Sequence, residues 1–76
     1  MKDETQKNER LARFGARVRD LRKGNGLSQE SLGACCDLDQ TYISGIETGQ
    51  RNVSFLNIAA LADALKVSLS ELMEGV

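Results

Sequence analysis

Apolar residues recur at helical spacing along most of the chain. In the first apolar segment Phe14, Val18 and Leu21 fall at i, i+4 and i+7, with arginines on the other faces. The later apolar runs each follow a residue type that caps helix N-termini, namely Ser28, Asp39, Ser54 and Ser68. No alternating run or cluster of β-branched residues indicates a strand. The pattern therefore predicts an all-α fold of five helices.

The breaks between these helices are short. The segment "GNG" at 24–26 ends the first helix, and "DLD" at 37–39 forms a tight connection in which Asp37 can adopt a left-handed conformation. Gly33 lies inside the second helix, where it should cost about 1 kcal/mol unless something compensates. Residues 1–9, "MKDETQKNE", are polar without periodicity and are predicted to form a flexible N-terminal arm. Residues 10–76 are predicted to form one domain.

Composition limits the class of protein. With 76 residues, 41% of them hydrophobic and 28% charged, the chain is expected to be a single globular domain. No apolar run approaches the roughly 20 residues that span a bilayer, and no signal-peptide pattern is present, so we expect a cytoplasmic protein without membrane association. The net charge of −1 argues against nonspecific coating of nucleic acid. The charge is uneven, however: residues 1–26 carry +4 and residues 27–76 carry −5.

The two cysteines, Cys35 and Cys36, are adjacent, and the chain has no histidine. Neighbouring cysteines rarely form a structural disulfide, and two cysteines alone cannot complete a four-ligand zinc site. We expect at least one to be a small core residue, with a redox-sensing thiol pair as the alternative. No catalytic constellation assembles from the remaining residues. The sequence therefore predicts neither an enzyme nor a bound metal, cofactor or small-molecule ligand.

Two short helices joined by a tight connection and packed on a longer first helix describe a helix-turn-helix. The stretches "LSQ" (27–29), "YISGIETGQRN" (42–52) and "LADALKVSLSEL" (61–72) resemble the Cro/repressor-type (XRE) helix-turn-helix family. The wording "LDQTYISGIE" (38–47) is most similar to controller proteins of restriction–modification operons. The resemblance covers residues 11–74. It implies a compact five-helix bundle, a lambda-repressor-like DNA-binding domain, with the third helix (about 39–48) in the major groove of double-stranded DNA.

The resemblance also implies which side chains of the third helix read bases. Leu38, Ile43 and Ile46 would be buried and hold the helix in place. The residues expected to project toward base edges are Gln40, Thr41, Ser44 and Gly45. Glutamine can form paired hydrogen bonds to adenine, the threonine methyl suits a thymine methyl, and glycine allows the backbone to approach closely.

The grip on phosphates must come from other residues. In the family, the glutamine of "LSQ" donates to a phosphate from a helix N-terminus. The full set expected to contact phosphates is Gln29, Tyr42, Arg51, Asn52, Arg17 and Lys23. Alternatives stay open for two kinds of residue here. The basic residues of the first helix also fit a solvated face, and Tyr42 also fits a core position with its hydroxyl at the rim.

Arg22 and Glu47 match a family pair that forms a partly buried salt bridge between the first and third helices. The structural role, bracing the third helix, is favoured over direct contact with DNA. Breaking such a pair should cost on the order of 3–5 kcal/mol if it is well buried.

A single helix reads too few base pairs to specify an operator, so we expect a homodimer on a palindromic site. The apolar positions left over after the core is assigned include Leu56, Ala59, Leu69 and Met73, with Val76 as a further candidate. They are predicted to form the dimer interface, the alternative being that they cover the core or are isolated surface residues. The function predicted is a transcriptional regulator. The alternative is an antitoxin- or adaptor-like protein–protein interaction module, which the negative net charge favours.

Overall fold

The computed structural model describes the backbone of residues 2–76 and the side chains of residues 9–76. Its helices are α1 (Lys2–Gly24), α2 (Gln29–Cys36), α3 (Gln40–Glu47), α4 (Phe55–Leu65) and α5 (Leu69–Leu72). The described part of the chain contains no strand, and none of its helices is long and apolar enough to cross a membrane. The predicted all-α fold of five helices is confirmed.

Local side-chain contacts explain where four of these helices begin. Ser28, Asp39, Ser54 and Ser68 each accept a hydrogen bond from a backbone N–H two or three residues later, over 2.9–3.3 Å. At α5 the bond is reciprocated, because the Glu71 side chain accepts from the Ser68 N–H at 2.8 Å. These contacts satisfy N–H groups that lack a partner within the helix. The four caps predicted from the sequence are confirmed.

The tight turn between α2 and α3 explains why residue 33 is a glycine. Asp37 adopts the left-handed conformation, with φ of 59°. The chain then folds back, so that the Leu38 N–H donates to the Gly33 carbonyl at 2.8 Å. A Cβ on Gly33 would lie 2.4 Å from the Leu38 carbonyl oxygen. The glycine therefore compensates for its low helix propensity by making room for this turn.

The core lies between α1, α2, α3 and α4, with α5 closing one side. Its buried members are Phe14, Val18, Leu32, Ile43, Ile46, Leu61, Ala62, Leu65 and Leu72. The backbones of α1 and α3 are in contact, since a Cβ on Gly15 would lie 2.2 Å from the carbonyl oxygen of Ile46. α3 is therefore held by its buried side chains and by the backbone of α1 together.

One expectation differs from the structure, and a second is not tested by it. Phe55 shares the helical spacing of Ile58, Leu61, Ala62 and Leu65 along α4, which predicts a side chain that faces the core, but the Phe55 side chain is 68% exposed. That expectation was wrong because Phe55 is the first residue of the helix and side chains lean toward the helix N-terminus, so this ring projects past the core. The segment predicted as a flexible arm overlaps α1, whose backbone is helical from Lys2. The side chains of residues 2–8 lie outside the described part of the chain, and the mobility of the arm stays a prediction.

Candidate nucleic-acid interface

α3 is buried on one side and polar on the other. Ile43 and Ile46 are at most 1% exposed and face the core, while Leu38, just before the helix, is half-buried. On the outer side Gln40 and Thr41 are exposed, and Ser44 and Gly45 are half-buried. The outer face thus carries hydrogen-bonding groups without a formal charge. Such a face suits base edges better than phosphates.

Arg22 and Glu47 form a buried, two-pronged ion pair between α1 and α3. The Arg22 Nε–Glu47 Oε2 distance is 2.6 Å and the Nη2–Oε1 distance is 3.0 Å. The third arginine nitrogen, Nη1, donates to the Leu27 carbonyl at 2.9 Å. The hydrogen bond to Glu47 raises the pKa of Arg22 above its ordinary value, although burial acts in the opposite direction. The pair braces the C-terminal end of α3 against α1.

Gln29, at the start of α2, connects this ion pair to the outer face of α3. Its Nε2 donates to Glu47 Oε1 at 3.0 Å, and its Oε1 accepts from Gln40 Nε2 at 3.1 Å. Only one of its two amide hydrogens is used in the bond to Glu47. A row of hydrogen bonds therefore runs from Arg22 through Glu47 and Gln29 to Gln40. The sequence motifs indicated Gln29 and Gln40 separately, but not that they touch.

Tyr42 and Arg51 lie next to each other at one edge of the polar face. The Tyr42 ring is half-buried against the core, and its hydroxyl accepts from Asn57 Nδ2 at 3.2 Å. The guanidinium carbon of Arg51 lies 6.0 Å from the centre of the Tyr42 ring, which is a cation–π contact. The aliphatic part of Arg51 crosses Gly45. Both readings of Tyr42 are thus compatible with its position, a ring in the core and a hydroxyl at the rim.

The remaining residues expected to contact phosphates are dispersed. Lys23, in the last turn of α1, and Asn52, in the loop after α3, are both exposed. Arg17 differs from the expectation, because its Nη2 donates to the Glu71 carbonyl at 2.6 Å and to Glu74 Oε1 at 3.3 Å. Its guanidinium is therefore engaged at the C-terminal end of α5, where carbonyl groups carry partial negative charge. In this arrangement Arg17 fastens α5 to α1.

Several apolar side chains on α4 and around α5, elements other than α3, are exposed or half-buried. Leu56 is 76% exposed, and Leu69 and Met73 are close to 40% exposed. Ala59 is half-buried. Phe55 adds a further exposed ring, although apolar periodicity places it on the core side of α4. Its place directly before Leu56, at the first position of a helix, was the signal that could have indicated its exposure.

The cysteines differ in their surroundings. Cys35 is exposed, whereas Cys36 is half-buried and its thiol donates to the Ala60 carbonyl at 3.7 Å. Burial raises the pKa of the Cys36 thiol, so its nucleophilic thiolate form is disfavoured. Cys36 thus packs between α2 and α4 as a small side chain, as expected for at least one of the two.

Comparison with known proteins places this geometry in a family. A helix-turn-helix family designated HTH_3 matches residues 18–72. The control protein C.MunI of a Mycoplasma species is 46% identical over 70 residues, which cover 91% of this chain and 95% of that protein. The control protein C.BamHI of Bacillus amyloliquefaciens is 47% identical over 62 residues, or 80% and 76% of the two chains. The crystal structure of the restriction-modification controller protein C.AhdI from Aeromonas hydrophila is 52% identical with a TM-score of 0.80, covering 82% of this chain and 94% of that one. The chain therefore belongs to the Cro/repressor-type (XRE) helix-turn-helix family, as its sequence motifs predicted.

Proposed function

We propose that this protein is a sequence-specific transcriptional regulator that binds a palindromic operator as a homodimer, with α3 in the major groove. The observation that carries the proposal is the outer face of α3, which is polar, uncharged and held in a fixed position by the opposite, buried face. A rigid helix with short polar side chains can approach base edges closely. A regulator of this kind acts on DNA in the cytoplasm and needs no cofactor.

Three side chains are assigned to base reading. Gln40 can pair with the two hydrogen-bonding groups of an adenine, and Thr41 and Ser44 offer a methyl group and hydroxyls to neighbouring bases. Gly45, among them, has no side chain of its own, and the aliphatic part of Arg51 lies across it. The hydrogen bond from Gln40 to Gln29 limits the rotamers available to Gln40 before DNA is bound. Less rotamer freedom is then lost on binding, which raises affinity.

Contacts with the phosphates of the DNA backbone are assigned to residues around the outer face of α3. The second amide hydrogen of Gln29 can donate to a phosphate at the N-terminus of α2, where unpaired backbone N–H groups also favour an anion. Arg51, Asn52 and Lys23 supply further donors, and the Tyr42 hydroxyl keeps its own proton for a phosphate oxygen. Arg17 would join this set only by leaving its contacts on α5.

The dimer interface is assigned to the exposed residues Leu56, Leu69 and Met73 and the half-buried Ala59, with the exposed Phe55 added. Several large apolar side chains exposed on a domain this small favour a protein partner. The second half of the chain is acidic, so contacts through α4 and α5 would keep the negative charge away from DNA. The controller proteins among its relatives support a role in a restriction–modification operon.

The test is selection from a random duplex library, followed by a salt titration on the selected sequence. We expect a palindromic sequence with half-sites about one helical turn apart, bound by two protomers. Affinity should fall linearly with the logarithm of salt concentration. Gln40→Ala should reduce discrimination between operator and random DNA, whereas Arg51→Ala should weaken both. Equal losses on both kinds of DNA for Gln40→Ala would contradict the base-reading assignment.

A protein–protein interaction module is the second candidate, favoured by the net charge of −1. Such a module would use an apolar surface over α3, but its exposed side chains there are polar. If a folded protein enriches no DNA sequence, this second function would replace the first.

A further inference from the structure

Gly45 lies in the interior of α3, where glycine lowers the stability of the helix. A helix-interior glycine is markedly less favourable than alanine, because it leaves the unfolded backbone more freedom. The backbone of Gly45 does not require glycine, since the positive φ angles in the described part of the chain fall on other residues. The reason for this glycine must therefore be the space beside it.

That space is filled by one side chain. A Cβ on Gly45 would lie 2.7 Å from Cγ of Arg51, 3.2 Å from its Nε and 3.5 Å from its Cδ. The first of these distances is far inside van der Waals contact, and Cγ is near the base of the side chain rather than at its mobile tip. Arg51 therefore lies flat against the backbone of α3, in a position that any larger residue at 45 would occupy.

The far end of the same arginine meets Tyr42. Its guanidinium carbon is 6.0 Å from the ring centre, and Tyr42 is three residues before Gly45, so the two share one face of the helix. The ring is itself held, because its hydroxyl accepts from Asn57 at 3.2 Å. The aliphatic part of Arg51 therefore packs against Gly45, and its guanidinium group packs against the Tyr42 ring. An exposed arginine, which is otherwise rotamer-rich, is thereby kept beside the polar face of α3.

We propose that Gly45 is a positioning residue, which acts on DNA binding by seating Arg51 rather than by facing a base itself. The inference rests on the proposed function, since it assigns Gly45 a role through a phosphate-binding arginine. If a larger residue fills the space at position 45, Arg51 must leave the Tyr42 ring and loses its fixed orientation before DNA binds. Its guanidinium then no longer points at the phosphate that it neutralises, so this contact and its share of the affinity are lost.

The experiment is a double-mutant cycle with Gly45→Ala, Arg51→Ala and the combined variant, measured by fluorescence anisotropy on the selected duplex. Gly45→Ala should weaken binding about tenfold, comparable to loss of one hydrogen bond to a charged group. In the Arg51→Ala background the same change should have little further effect, because its target is gone. The slope of log affinity against log salt should fall by about one for Gly45→Ala, as for Arg51→Ala. A purely structural role would not change that slope.

Gly24→Ala is the matched control. Gly24 ends α1 without a positive φ, and a Cβ there would meet nothing within 4 Å. This variant should bind like the wild type. Melting temperatures of all variants should stay within about 4 °C of the wild type, since improved helix propensity offsets the lost arginine contact. If Gly45→Ala alone melts much lower, adding Arg51→Ala should restore stability, because the new methyl group then has nothing to displace.

Three results would contradict the proposal that Gly45 positions Arg51. The first is a Gly45→Ala protein that binds as tightly as the wild type. The second is a set of losses that multiply in the combined variant, which would mean that Gly45 acts independently of Arg51. The third is an unstable Gly45→Ala protein that Arg51→Ala fails to rescue. If the wild type itself enriches no duplex, the proposed function fails instead, and the two failures are distinguishable.

Discussion

Replacing Glu47 with alanine tests how much the braced third helix depends on one ion pair. The substitution removes the acceptor of two Arg22 N–H groups and of the Gln29 amide. Arg22 is only 8% exposed, so its charge stays buried without a counter-charge. Removing one partner of a buried pair costs about 3–5 kcal/mol. At about 0.05–0.15 kcal/mol per residue, the whole domain is stable by roughly 4–11 kcal/mol. Glu47→Ala should therefore lose a large share of its free energy of unfolding.

Urea denaturation followed by circular dichroism measures this loss directly. The midpoint should fall while the denaturant slope stays constant, as expected for a change in native stability alone. Asp20→Ala is the matched control, because it removes an exposed carboxylate from α1. Its effect should stay within about 0.5 kcal/mol.

A paired replacement separates the buried charge from the packing. Arg22→Met with Glu47→Leu removes both charges and keeps apolar volume, so it should recover most of the stability that Glu47→Ala loses. A Glu47→Ala protein within about 1 kcal/mol of the wild type would refute the reasoning, since a buried charge cannot lose its partner at so small a cost.

Further predictions concern the assembly, the turn and the response to pH. Leu56→Glu should weaken the dimer without changing the stability of the monomer, because this side chain is 76% exposed; sedimentation equilibrium would detect it, and an unchanged dimer would exclude the assigned interface. Gly33→Ala should destabilise the protein despite its better helix propensity, since the Cβ would meet the Leu38 carbonyl oxygen at 2.4 Å, and a raised melting temperature would contradict that. Hydrogen bonds from Ser68 lower the pKa of Glu71 below its ordinary value of 4.5. The capping contact is therefore fully present above that value and is lost as the pH falls through the lowered pKa. Acid titration monitored by NMR at the Ser68 N–H should show this, and Glu71→Gln should reduce the effect.

Much of the fold could be predicted because its signals are local. A cap such as Ser54 or Asp39 acts on N–H groups two or three residues away, and the turn at Asp37 depends on one backbone conformation. Apolar periodicity identified the buried face of α3 correctly. It was wrong at Phe55, where the helix begins and the core has already ended. Periodicity describes the direction of a side chain around a helix, but not whether another element lies opposite it.

The details of the candidate site were less predictable because they depend on contacts between distant elements. The motifs indicated Gln29 and Gln40 as separate contacts, and only the folded chain brings them within 3.1 Å. The guanidinium group of Arg17 is typical of a phosphate ligand. In the folded chain, however, it donates to the carbonyl of Glu71, which lies 54 residues later in α5. Gly45 was interpreted from its own small size, whereas its neighbour Arg51 occupies the space. Each of these outcomes follows from long-range packing.

The backbone contact between Gly15 and Ile46 lies on the buried face of α3. The position of the helix is fixed on that face, by a glycine of α1 and by the buried isoleucines, whereas the side chains assigned to DNA lie on the opposite, outer face. Exchanging Thr41 or Ser44 for other polar residues leaves everything behind the helix unchanged. If these side chains read bases as proposed, a few substitutions on the outer face can change operator preference without any need for the scaffold to adapt.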